Sequence, residues 1–149
     1  MNKWITATLA LVAMQGCTVY SYDTYDEPTY VHEDPVVVYN YAPVVLDAYA
    51  GVYWDDHYWD DVWYFEAVVD DGDGPYDVVA VWADVYDEWN GALVESFELY
   101  PTADPYVWYS DWLGHSTWLD PFYRNYSVDV TVYDMYEDSD TMTVWAYTY

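Results

Sequence analysis

The chain is almost without positive charge. Lys3 and Arg124 stand against 28 acidic residues in 149, a formal net charge of −26. Nucleic-acid binding relies on Lys and Arg to neutralise phosphates, so that partner class is excluded, and anionic lipid headgroups are repelled for the same reason. Cysteine is represented once, by Cys17. No internal disulfide can form, and the fold must be held by its core, helped at most by bound cations. No apolar run approaches the roughly 20 residues a membrane-spanning helix needs, and no useful stretch repeats apolar residues with helical period. The three histidines, His32, His57 and His115, are scattered. A Gly-x-Ser-x-Gly elbow, a phosphate-binding glycine loop and a paired metal motif are all missing. These absences argue against an enzyme. Carboxylate pairs can hydrolyse glycosides, but among 28 acids any one pair carries little weight.

Aromatics are abundant: 10 Trp, 21 Tyr and 3 Phe. Disordered chains are aromatic-poor, so a folded domain is expected. The aromatics also exceed what a core of this size can bury. Trp54, Trp59, Trp82, Trp89, Trp108, Trp112, Trp118 and Trp145 are expected on loops or on the face opposite the core. There they either cover the outer sheet with their polar tips in water or form platforms for sugars or partner proteins.

Three segments follow from the pattern. Residues 1–16 open with Met-Asn-Lys and run apolar from Trp4 to Met14. Residues 17–42 repeat tyrosine among polar residues, broken by Pro28 and Pro35, and read as an extended tether, with docking of Val36–Tyr41 as an edge strand the alternative. From Pro43 to Tyr149 the pattern is that of strands. Trp63, Phe65, Ala67 and Val69 share one face of one strand, and Val79, Val81, Ala83 and Val85 one face of the next. Asn90-Gly91 marks a hairpin turn. Leu93, Phe97 and Leu99 align on the following strand, together with Glu95. Tyr126, Val128, Val130 and Val132 alternate with polar residues, as do Met142, Val144 and Ala146. About seven strands with near-regular turns predict an all-β fold, an antiparallel sandwich.

The sequence Met14-Gln15-Gly16-Cys17 after a short apolar run resembles the lipobox of bacterial lipoprotein signal peptides. Met14 stands where the family usually has leucine. The resemblance implies cleavage before Cys17, lipidation of its sulfur and acylation of its amine. Thr18, rather than Asp, then implies the outer membrane of a Gram-negative bacterium. The alternative is an ordinary secretory signal with an incidental thiol. Further on, Ala67-Val-Val-Asp-Asp-Gly-Asp-Gly74 with Asp77-Val-Val-Ala-Val81 is similar to strand B, loop and strand C of bacterial immunoglobulin-like modules. Tyr126–Asp134 with Ser139–Val144 resembles their closing F–G hairpin. Fibronectin type III and PKD-type modules carry similar pairs. The likeness implies a sandwich over 43–149, with Tyr126 as a tyrosine corner.

One loop is chemically distinctive. Asp70, Asp71, Asp73 and Asp77, with Gly72 and Gly74 between them, present closely spaced carboxylates on a sharply turning backbone, as a hard cation such as Ca2+ requires. The helix–loop–helix calcium pattern is missing, and a solvated turn is the plain alternative. In an immunoglobulin-like sandwich this loop and the F–G turn share one end, which would bring Glu137, Asp138 and Asp140 towards it. Asp55-Asp56-His57 with Asp60 and Asp61 form a second acidic cluster, expected at the opposite end, where a single histidine makes a transition-metal site a weak prospect. The expected function is a lipid-anchored envelope protein with a structural or adhesive role, the alternative being a calcium-dependent or carbohydrate-binding module with a protein or glycan partner.

Overall fold

The computed structural model describes residues 39–149. The leader 1–16, Cys17 and the tether as far as residue 38 lie outside the described residues. The described chain is an antiparallel all-β structure with a single short 3-10 turn, Gly114–Ser116. Its strands are β1 (Val44–Asp55), β2 (Asp60–Asp70), β3 (Val78–Asp87), β4 (Ala92–Pro101), β5 (Val107–Leu113), β6 (Tyr126–Asp134) and β7 (Ser139–Trp145). They follow the order β1-β2-β5-β4-β3-β6-β7. The join between β4 and β5 is brief, only Tyr100↔Tyr109 and Pro101↔Trp108. Just beyond β7, Tyr147 meets the outermost strand β1 through an isolated parallel bridge, Gly51↔Tyr147. Val52 N–H donates to the Tyr147 carbonyl at 2.9 Å, and Tyr147 N–H to the Ala50 carbonyl at 3.0 Å. The sheet therefore curls nearly into a barrel.

The core is what period-2 alternation dictates. Trp63, Phe65, Ala67 and Val69 of β2 face inward and are fully buried, as are Val81, Ala83 and Val85 of β3 and Val128, Val130 and Val132 of β6. Phe65 stacks on Phe97, ring centroids 4.6 Å apart. Met142, Val144 and Ala146 are half-buried against this core. The expected β6–β7 hairpin forms, pairing from Ser127↔Trp145 to Tyr133↔Ser139. Asn90 and Gly91 close the β3–β4 hairpin, within a loop of four residues rather than two, and Gly91 takes φ +68°.

Three expectations need correction, two of them because a β-bulge reverses the alternation. The first strand carries such a bulge too and runs from Val44 to Asp55. A register shift between Val45 and Asp47 puts small Ala48 and Ala50 inside and leaves Tyr49 and Tyr53 outside. On β3 a shift between Val78 and Ala80 buries Val78 and exposes Val79. On β4 a shift opposite Val85 and Tyr86 exposes Leu93 and lets Val94 pack on the core instead. Finally, Trp108 is not on an outer surface. It lies opposite Ala67 on the inner side of β5, 7% exposed.

Tyr126 is buried at the start of β6, and its hydroxyl accepts a hydrogen bond from Asp120 N–H at 3.0 Å. That bond ties the irregular 114–125 connection to the strand it enters.

Candidate functional site

Two surface features result from this fold. The first is the outer face of β1, β2 and β5. Residues alternating with the core set point outward, and here they are tyrosines. Tyr49 pairs across with Glu66, Gly51 with Tyr64, Tyr64 with Asp111, Glu66 with Tyr109 and Tyr109 with Tyr100. Tyr49, Tyr53, Tyr64, Tyr109 and Tyr100 thus form one aromatic field across four strands, interrupted by two carboxylates. Gly51 makes room in it: a Cβ there would lie 3.1 Å from the Tyr64 ring and hydroxyl and 3.2 Å from the Tyr147 carbonyl oxygen. Tyr53 and Tyr64 have centroids 5.9 Å apart at 52°. At the end of this field a groove of about 200 Å³ is lined by Tyr53, Asp55, Tyr58, Val62, Asp111, Trp112 and Leu113. Burial, followed by the charges of Asp111 and Glu66 and the neighbouring Tyr53 and Tyr64, pushes the Tyr109 phenol up to about 12. Burial and the nearby Asp111 and Asp55 also raise Tyr53. These phenols stay neutral hydrogen-bond donors throughout the physiological range.

The second feature is the end where the β2–β3 and β6–β7 turns meet. Met135 N–H donates to the Asp77 carbonyl at 3.0 Å, joining the two turns directly. One carboxylate oxygen from each of Asp71, Asp73 and Asp77 lies within 4.8 Å of the others. Asp71 is 5% exposed. Its Oδ1 accepts Asp73 N–H at 2.8 Å, while its Oδ2 is buried without a partner. Burial first, then the charges of Asp73, Asp77 and Asp134, holds this carboxyl above its ordinary range, against the pull of the Asp73 N–H.

The other acids expected here are placed nearby but have different work. Asp70 Oδ1 accepts the Asp71 N–H at 2.9 Å. Asp138 Oδ2 accepts from Asn40 Nδ2 at 2.8 Å, and Asp140 Oδ2 accepts Val45 N–H at 2.9 Å. Glu137 is exposed on the β6–β7 turn with φ +70°. None of these four belongs to the converged group.

Two residues at this end were missed in the sequence. Asp134 is 2% exposed and accepts Tyr136 N–H and Asp138 N–H on Oδ1, both at 2.8 Å, and Asn40 Nδ2 on Oδ2 at 2.9 Å. Burial pushes its carboxyl up, but these donors prevail and hold it below the usual range. Asn40 bridges Asp134 and Asp138, and its Oδ1 is buried without a partner. Next to it, Tyr41 N–H donates to Asp73 Oδ2 at 2.8 Å. Tyr41 lies against Gly72, where a Cβ would come within 2.7 Å of the tyrosine's own. A buried Asp two residues before a turn is a signal for a capped hairpin; Asn40, more than 90 residues away, leaves no local signal.

At the opposite end most of the acids are spent on their own turn, and Asp60 reaches the segment after β5. Asp55 Oδ1 accepts His57 N–H and Tyr58 N–H, and Asp56 Oδ1 accepts from Trp54 Nε1. Asp60 pairs with His115 Nδ1, which holds its carboxyl below the usual range. The histidine that reaches the acids is therefore His115, while His57 packs edge-on against Tyr58.

No protein-family model, no curated protein and no solved structure matches this chain.

Proposed function

We propose that this protein is an adhesive interaction module displayed at a bacterial envelope: an immunoglobulin-like domain, tethered through a lipid on Cys17, that binds neutral glycans through the outer face of β1, β2 and β5. The domain reading is supported by the strand order, in which β1-β2-β5 and β4-β3-β6-β7 are joined only through the brief ladder at Tyr100 and Pro101. The Tyr126 hydroxyl bonded back to Asp120 N–H is the further mark expected of a tyrosine corner.

The observation that carries the binding reading is the continuity of Tyr49, Tyr53, Tyr64, Tyr109 and Tyr100 on one face, with Glu66 and Asp111 among them. Tyr49, Tyr53 and Tyr100 are 47%, 41% and 54% exposed. A covering of scattered aromatics would not align across four strands. Ring faces suit the apolar faces of sugar rings, and the intervening carboxylates accept hydroxyl hydrogen bonds. A polyanionic partner is disfavoured by the net charge of −26.

The test uses the full-length chain in non-ionic detergent, run through native gels containing neutral glucans, mannans or galactans. At least one should retard it, and combined Tyr49→Ala, Tyr53→Ala and Tyr100→Ala substitution should weaken that binding at least tenfold. Equal mobility in every gel, or undiminished retardation of the triple variant, overturns the reading. Anchoring is tested separately: Cys17→Ser should release the chain from the membrane fraction, and retention there refutes lipidation.

A further inference from the structure

The geometry points to a calcium-class cation site formed by Asp71, Asp73 and Asp77 at the end of the fold where the β2–β3 and β6–β7 turns join. Three observations converge on it. Two oxygens bound to one calcium at 2.3–2.6 Å can be no more than about 5 Å apart, and the three carboxylates meet that limit with oxygens within 4.8 Å of one another. Like carboxylates held together repel, and a bound cation relieves that repulsion. Protein cations do not provide that relief. Arg124 is the only lysine or arginine among the described residues, and its Nε donates to the Tyr149 carbonyl.

The independent observation is Asp71 itself. It is 5% exposed, and Oδ2 has no hydrogen-bond partner although Oδ1 is held by the Asp73 N–H. An unpaired buried carboxylate oxygen is among the costliest groups a fold can keep. A ligated cation removes that cost. The donor set is all oxygen, with neither His nor Cys in the group, which selects a hard cation over zinc or copper. Asp73 also holds Tyr41 N–H, and Tyr41 is seated on Gly72. The cation site is thereby coupled to the segment at Tyr41 that leads into β1.

The experiment is calcium titration of the full-length chain in non-ionic detergent after removal of divalent ions, followed by isothermal calorimetry and by thermal melting. One saturable site is expected, with Tm rising by roughly 10 °C once calcium exceeds its Kd a hundredfold. Sodium chloride at matched ionic strength is the control for plain screening of the acidic surface. Asp71→Asn and, as a second variant retaining the buried position, Asp77→Asn should each weaken binding more than tenfold. Asp84→Asn, on β3 away from the cluster, should not. The inference is overturned by no saturable heat at 10-fold millimolar calcium, by an equal Tm rise in sodium chloride, or by equal weakening in Asp84→Asn. Glycan retardation of the calcium-free chain reports on the tyrosine face alone, so either proposal can fail without the other.

Discussion

The two ends of this domain are almost equally acidic, yet they are built for different ends. The β1–β2 turn carries Asp55, Asp56, Asp60 and Asp61, and the β2–β3 turn carries Asp70, Asp71, Asp73 and Asp77. At the first, the carboxylates take backbone N–H groups of their own turn, an indole two residues away and, through Asp60, His115 from the segment after β5. At the second, a neighbouring turn and the segment at Asn40 close over the acids, bury Asp71 and leave one of its oxygens unpaired. Charge density is common to both. What distinguishes them is whether the second chain segment leaves a carboxylate buried: His115, brought to Asp60, stays largely exposed, whereas Asp71 is shut away from water.

The sharpest way to break this comparison is to remove the carboxylate that organises each end. Asp134→Ala strands Tyr136 N–H, Asp138 N–H and the Asn40 amide, and should lower Tm by roughly 10 °C; Asp55→Ala, whose freed donors face water, should cost roughly 2–4 °C. Differential scanning calorimetry of both variants measures the gap, and equal losses would dissolve the distinction. The pH profile carries the same signature. Asp134 sits below its ordinary range, so its contribution is present above the unfolded carboxylate pKa and is lost as pH falls through the lower folded value. Asp134→Asn should flatten that acid limb.

Relief of charge sharpens the contrast next. Without calcium, Asp71→Asn keeps the Asp73 N–H bond and removes a buried charge among like charges, so it should raise Tm by a few degrees. Asp56→Asn at the exposed end should leave Tm within about 1 °C. Melting in chelator decides between them. Backbone strain differs as well. Gly74 has φ +115° with open space around its Cα, so Gly74→Ala should destabilise by about 1 kcal/mol through conformation alone. Trp59, at φ +53°, is a large residue in that region, and Trp59→Gly should be neutral or stabilising by up to about 1 kcal/mol. Urea unfolding midpoints give both signs.

The smallest effect concerns the face between the ends. Tyr109 titrates near 12, above the value of about 10 for a free phenol. Its contribution is complete below pH 10 and is lost as pH rises from about 10 to 12. Tyr109→Phe should reduce the slope of stability in that alkaline window and leave neutral stability nearly unchanged, as read by unfolding at stepped pH.

How far the sequence discloses this can be seen strand by strand. β2 and β6 were legible because nothing disturbs their alternation: Trp63 to Val69 and Tyr126 to Val132 keep one face throughout. β1 was not, because its bulge breaks the period and its inner residues are alanines, which carry little hydrophobic signal. Val79 and Leu93 misled for the same reason, each lying beside a register shift that local pattern cannot show. The acidic loop stood out from its spacing, and Asp71, Asp73 and Asp77 do gather. The separation of Asp70 from them is a matter of single rotamers and backbone bonds. Asn40 and Asp134, which complete that end, are joined across 94 residues, a distance over which sequence alone offers no cue.

The narrow seam at Gly51 and Tyr147 bears on behaviour at high concentration. An uncovered border strand invites another copy to add itself and begin a fibril, and a chain so rich in tyrosine and valine would be prone to it once salt damps the mutual repulsion of its acids. Beyond β7, Tyr147 takes up the Val52 N–H and the Ala50 carbonyl, backbone groups of β1 with which a second molecule could otherwise pair. Gly51, which leaves room for that approach, keeps this stretch of the border closed when salt screens the charge.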